Sequence, residues 1–165
     1  MSYISKIYIA AALSDVELVK LLFSILMKVS NKRWQLTYDW TEHGKVEETA
    51  KMPWLAYTEL KAVREADVLG FVTPGGRGAH VELGAALGLN KPIVMYDKGM
   101  DDKYDYPCLF HEHPNIHKSP PDFESWAYLV ETVSKLQNDE KINVTYSSPL
   151  SQIKLNNNSS HRYLY

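Results

Sequence analysis

The sequence has one cysteine, Cys108, in 165 residues. That excludes an intrachain disulfide and fits a reducing compartment. It also lacks charge of either sign in excess: the formal net charge is -2, and no basic run is longer than Lys32-Arg33. Nothing here would attract a nucleic acid polymer. Long apolar runs are missing too. The stretch KIYIAAAL, which ends at Leu13, is too short to span a bilayer, and Asp15 and Glu17 follow at once. No internal repeat is visible. What remains is an ordinary globular composition, 45% hydrophobic and 23% charged, in a chain long enough to build a core without staples. A cytoplasmic protein with a small-molecule partner is expected.

Short β-forming runs alternate with helical patterns. Residues 5–11 read as a buried strand, and Ser14-x-x-Glu17 as a capping box opening a helix to about Val29. That helix is apolar over more than one stripe, so part of it is expected to meet another subunit. A second strand fits 34–40 and a polar loop fits 41–51. A helix from Pro53 to Glu65 carries proline in its first turn. Strand three is 67–73, a helix covers about Ala79 to Leu89 with Asn90 as left-handed cap, and strand four is 91–97. A short strand near Asn115–His117 and a helix over 122–137 follow. This order predicts an α/β fold: a parallel sheet of about five strands with helices on both faces. Residues 1–137 form the expected domain. Residues 138–165 are a polar tail, either a loose terminus or an arm whose closing Arg-Tyr-Leu-Tyr packs on a neighbouring subunit.

Between strand three and its helix lies Pro74-Gly75-Gly76-Arg77-Gly78-Ala79-His80. A P-loop would end in Gly-Lys-Ser/Thr, and a dinucleotide fingerprint would follow the first strand; neither fits. The position still matters, because ligands of open parallel sheets bind beyond the carboxyl ends of the strands. Helix amides point there, and Arg77 could pair with a phosphate in bidentate fashion. The loop therefore suits an anion, or else is a turn that tight geometry requires. Glu82, about one turn into the helix, is either a nucleophile held ionised by the helix dipole or an acid that merely complements it. Tyr38, Asp39 and Trp40 close strand two at the same edge, where an aromatic face and an acceptor grip a base or sugar, or else Trp40 packs the sheet and Asp39 caps a turn. His80 faces the loop as a substrate contact or as a helix-start residue. The run Cys108, His111, His113, His117 holds metal-ligating side chains but matches no structural zinc spacing, so no metal is expected.

KIYIAAAL, ADVLGFV and GRGAHVELGAALGLNKPIV, with G-x-x-x-E-L-G-x-A-L at 78–87, resemble the nucleoside 2-deoxyribosyltransferase family over roughly residues 5–96. That family includes nucleoside 5′-phosphate N-glycoside hydrolases. The resemblance implies a flavodoxin-like or Rossmann-like α/β fold, assembled as a homo-oligomer that is a dimer or larger, and cleavage of an N-glycosidic bond in a nucleoside or nucleoside 5′-monophosphate, without a cofactor. It implies Glu82 as nucleophile, Tyr8 holding that carboxylate or the sugar, and Glu59 assisting the leaving base where many relatives have aspartate. Ala10, Asp39, Trp40, Gly76, Arg77, Gly78 and His80 are the expected substrate contacts. Asp67 lies at the opposite edge of the sheet and is read as a turn or cap residue. Nucleotide-cleaving relatives often carry an arginine after strand one; this chain has Ala12-Leu13-Ser14, so either Arg77 replaces it or the substrate lacks a phosphate. Two rival readings are a nucleotide sensor that binds without catalysis and a flavin carrier. The second fits poorly, because the first loop lacks a Ser/Thr-rich phosphate cradle.

Overall fold

The computed structural model describes residues 4–43, 45–98 and 108–140, the last four by backbone only. Strands β1 (Ser5–Ala10), β2 (Trp34–Leu36), β3 (Val68–Val72), β4 (Ile93–Tyr96) and β5 (Ile116–Ser119) form one sheet in the order β2-β1-β3-β4-β5. Every pairing is parallel. Helices α1 (Val16–Val29) and α4 (Phe123–Glu140) pack together on one face; α2 (Met52–Glu65) and α3 (Arg77–Gly88) pack together on the other. This is the doubly wound flavodoxin-like arrangement, whose strand order reverses between β1 and β3. The three central strands are apolar because both of their faces are covered: β3 and β4 are buried at every residue. Among the described residues no helix is long and apolar enough to cross a membrane.

The α1/α4 face is built by close approach. Gly70 of β3 lies under Trp126 of α4, and a Cβ there would stand 2.9 Å from the indole. Trp126 is fully buried, and its N–H donates to the Val94 carbonyl at 3.2 Å. Helix α1 exposes less apolar surface than its sequence suggests. Val16, Leu18, Phe23, Ile25, Met27 and Val29 pack partly against the core, whereas Leu21 stays exposed. Among the described residues, the helix with the most exposed large apolar side chains is instead α2, at Met52, Trp54, Tyr57 and Leu60.

Several boundaries differ from expectation, each for a local reason. The Ser14/Glu17 capping box does not form. A 3₁₀ turn over Leu13–Asp15 precedes α1, no side chain caps the helix, and Asp15 pairs with Lys98 at 2.6 Å. Strand β2 stops at Leu36, four residues early. Asp39 turns the chain by accepting from the Thr41 amide at 3.1 Å, and the Trp40 indole N–H takes the Ile9 carbonyl at 2.8 Å. A side chain thus replaces the ladder at that edge of β1. Helix α3 begins at Arg77, two residues early, because Gly76 is extended and its carbonyl accepts from the His80 amide. Strand β5 lies one to two residues later than expected, and α4 continues three residues past Gln137. Asn90 does adopt the left-handed conformation, with φ of 52°. The expected terminal arm, including Tyr165, lies outside the described residues beyond Glu140.

Candidate active site

The carboxyl ends of β1 and β3 open the crevice at the point where the strand order reverses. Tyr8 and Ala10 of β1 alternate with Ile7 and Ile9. Since the Tyr8 hydroxyl reaches α3, these two residues belong to the α2/α3 face; both are fully buried. The Tyr8 O–H donates to Glu82 Oε1 at 2.6 Å, the short length of a hydroxyl bound to an ionisable acceptor. This pair joins residues 74 positions apart in the chain.

Glu82 is 7% exposed. It is the sixth residue of α3, in the second turn rather than the first, where the dipole has faded. The expected predominance of the ionised form is therefore corrected. Burial pushes the carboxyl up to about 7, the Tyr8 hydrogen bond pulls it back in part, and the charge of Glu59 pushes it up again. Half-buried Glu59, on α2, is itself raised by burial and lowered by the charge of His43. The Tyr8 phenol is driven far above its ordinary value, first by burial and then by the charge and hydrogen bond of Glu82. It remains a donor at any physiological pH. Tyr38 is raised by burial and by the charges of Glu59 and Asp39. Its ring lies 5.9 Å from that of His43.

Tyr8, Glu59 and Glu82 thus interact as one electrostatic cluster. Tyr38 and His43 belong to its rim; Tyr38 was read together with Asp39 and Trp40 but not chosen as a contact, and His43 was passed over. Tyr38 had the same edge position as the chosen Asp39 and Trp40, so its place was legible; His43 lay in a segment read only as a polar loop. The other expected contacts are arranged differently. Asp39 accepts from both the amide and the hydroxyl of Thr41, at 3.1 and 2.5 Å, and Trp40 is buried with its N–H engaged. Gly76 precedes α3, while Arg77 and Gly78 are exposed in its first turn. Gly75 takes φ of 73°, and a Cβ there would meet the Phe71 ring at 2.7 Å, so this glycine of the loop is required by geometry. His80 turns to the Gly76 carbonyl, to His111 and to the edge of Phe71. Asp67 accepts the Lys6 amide at 2.8 Å at the far edge of the sheet, as expected of a cap.

Across the crevice, Lys98 binds Asp15, its amide donates to Thr73 Oγ1 at 2.9 Å, and that hydroxyl meets Asp97 at 3.1 Å. These bonds tie the start of α1 to the ends of β3 and β4. A buried carboxyl that can ionise near neutrality, held by a phenol beside a second carboxyl, can serve as a nucleophile at an electrophilic carbon.

No family model and no curated protein sequence matches the chain. Among solved structures it is similar to the CMP N-glycosidase BcmB of Clostridium botulinum, at a TM-score of 0.51 and 16% identity, over 77% of this chain and 99% of that one. At this identity the likeness speaks for the fold, and the chain shares that fold with an N-glycosidase.

Proposed function

We propose that this protein cleaves the N-glycosidic bond of a nucleoside or nucleoside 5′-monophosphate, with Glu82 as nucleophile, and that it belongs with the nucleoside 2-deoxyribosyltransferases and their hydrolytic relatives. The observation that carries the reading is the buried Tyr8–Glu82 hydrogen bond of 2.6 Å at the strand-order reversal. The ionised Glu82 oxygen attacks C1′ while the C1′–N bond breaks, and the base leaves with a proton from Glu59 or water. A glycosyl ester on Glu82 results. Water or a second base then attacks C1′ from the vacated face, freeing the carboxylate with net retention. The Tyr8 hydroxyl steers the carboxylate and limits the rise of its pKa.

Ala10, Asp39, Trp40, Gly76, Arg77, Gly78 and His80 are the proposed surroundings of the substrate. Arg77 and the first amides of α3 suit a phosphate; Trp40 acts through the shape of the wall, since its N–H binds within the chain, and Asp39 is held by Thr41 through Oδ1. We take the protein to work in the cytoplasm as a homo-oligomer. The name of the structural neighbour, a CMP N-glycosidase, makes cytidine 5′-monophosphate a sound first substrate.

The test is chromatographic. Wild-type and Glu82→Gln protein are incubated with ribo- and deoxynucleosides and their 5′-monophosphates, with and without a second free base. Base release or exchange by wild type that disappears in the variant supports the reading, and its dependence on phosphate and acceptor separates hydrolase from transferase. Binding that survives the substitution without release from any substrate would make the protein a nucleotide sensor.

A further inference from the structure

Three potential metal ligands converge outside the Glu82 cluster. Nitrogens of His80 and His111 and the sulfur of Cys108 lie within 4.8 Å of one another. Their arrangement was invisible in sequence, because His80 joins from α3 while Cys108 precedes and His111 lies within the 3₁₀ turn Leu109–Glu112. His113 and His117 take no part: His113 Nδ1 accepts from the Asn115 amide at 3.1 Å, and His117 lies on β5. From this geometry we propose that His80, Cys108 and His111 bind a divalent metal ion of the zinc class.

The details fit such an ion. His80 Nδ1 lies 2.9 Å from the Gly76 carbonyl oxygen. A carbonyl only accepts, so Nδ1 carries the proton and the Nε2 of the neutral ring presents its lone pair. Backbone support of this kind commonly fixes the tautomer of a metal-binding histidine. His80 Nε2 and His111 Nε2 are 3.3 Å apart. Two imidazole nitrogens at about 2.0–2.1 Å from a tetrahedral ion stand about 3.3–3.4 Å apart. The thiol sulfur lies within 4.8 Å of both nitrogens and completes the set by closing to about 3.5 Å from each. Phe71 closes the apolar side, with its ring centroid 5.4 Å from His80 and 5.2 Å from His111. Two nitrogens and a thiolate suit zinc and disfavour magnesium or calcium. A fourth position is left for water.

The ion would fasten the 3₁₀ turn to the first turn of α3, beside the glycine loop. His80 and Glu82 are two residues apart and so about 200° apart around the helix. The ion therefore has a bracing role distinct from the reacting carboxylate. It shares His80 with the proposed substrate surroundings; with Nδ1 on the Gly76 carbonyl and Nε2 on the ion, that residue keeps only its ring face for substrate.

Cobalt titration tests it. Tag-free protein stripped with chelator is titrated with Co²⁺, followed by absorption, and then displaced with Zn²⁺. One ion per chain is expected, with tetrahedral visible bands and a thiolate-to-cobalt charge-transfer band that Cys108→Ser abolishes. His111→Ala should weaken Zn²⁺ binding at least about 10-fold, and Zn²⁺ should raise the melting temperature of wild type but of neither variant. Glu82→Gln should keep the full stoichiometry, which separates failure here from failure of the enzymatic reading. Absence of cobalt uptake, or uptake unchanged in both Cys108→Ser and His111→Ala, overturns the proposal and leaves two imidazoles sharing a proton.

Discussion

Two buried glutamates on opposite faces of the sheet show how one protein separates structure from chemistry. Glu131 on α4 is 9% exposed and Glu82 on α3 is 7% exposed. Glu131 receives the Trp34 indole N–H and sits between Arg33, at 3.1 Å, and Lys135, at 3.4 Å. Its charge is met by cations, and it fastens β2 to α4. Glu82 has a phenol for a partner and feels a second carboxylate. Burial alone does not make a residue reactive. What differs is whether the neighbours satisfy the charge or leave it costly.

The largest expected difference between them is in turnover. Glu82→Gln should reduce base release by about 10³-fold or more, because no other group can form the glycosyl ester. Glu131→Gln should leave turnover within about threefold, while costing on the order of 1 kcal/mol of stability through the weakened bonds to Arg33 and Trp34. Parallel rates and thermal melts of the two variants decide it. Equal losses of activity would erase the contrast.

The second expectation concerns stability and pH. The folded Glu82 carboxyl titrates at about 7 against an ordinary value of 4.5. Between those values the folded protein holds a proton that the unfolded chain has released, so raising the pH through this window destabilises the fold. At pH 8 the penalty approaches about 3 kcal/mol, and below pH 4.5 it vanishes. Glu82→Gln should therefore gain stability over wild type progressively from pH 5 to pH 8. Denaturant melts at several pH values read this directly, and a constant difference would contradict a raised pKa.

Third, Tyr8→Phe removes the donor to Glu82 and should slow turnover about 10- to 100-fold. The Tyr8 bond lowers the Glu82 pKa, so the acid limb of kcat/KM, expected near 7 in wild type, should move to higher pH in the variant. A loss of rate with an unmoved limb would mean that Tyr8 only positions the substrate.

The sequence made the architecture legible because each buried strand is a short apolar run and these runs alternate with helical patterns. The motif around Glu82 and the tyrosine on β1 were legible as well, although only folding brings them to 2.6 Å. Other features were hidden because they depend on contacts between distant segments. Trp40 ends β2 early by taking the Ile9 carbonyl with its side chain. A 3₁₀ turn over Leu13–Asp15, tied to Lys98 through Asp15, stands where the Ser14/Glu17 capping box was expected. The raised pKa of Glu82 depends on its depth and on Glu59, neither visible in spacing. The His80–His111 pair needed the topology to bring α3 and the segment before β5 together.

The smallest expected effect concerns Glu59, whose role the resemblance assigns with a residue one methylene longer than is usual. Its charge raises Glu82, and its own carboxyl is raised by burial. Removing the charge with Glu59→Gln should lower the Glu82 pKa and shift the acid limb of kcat/KM to lower pH. If Glu59 also protonates the leaving base, the basic limb should flatten, and the rate loss should be smallest with substrates whose base leaves easily without a proton. A shifted acid limb with an intact basic limb would make Glu59 a positioning charge. Protonation of the base would then fall to water, and Glu82 with Tyr8 would remain the chain's own reacting pair.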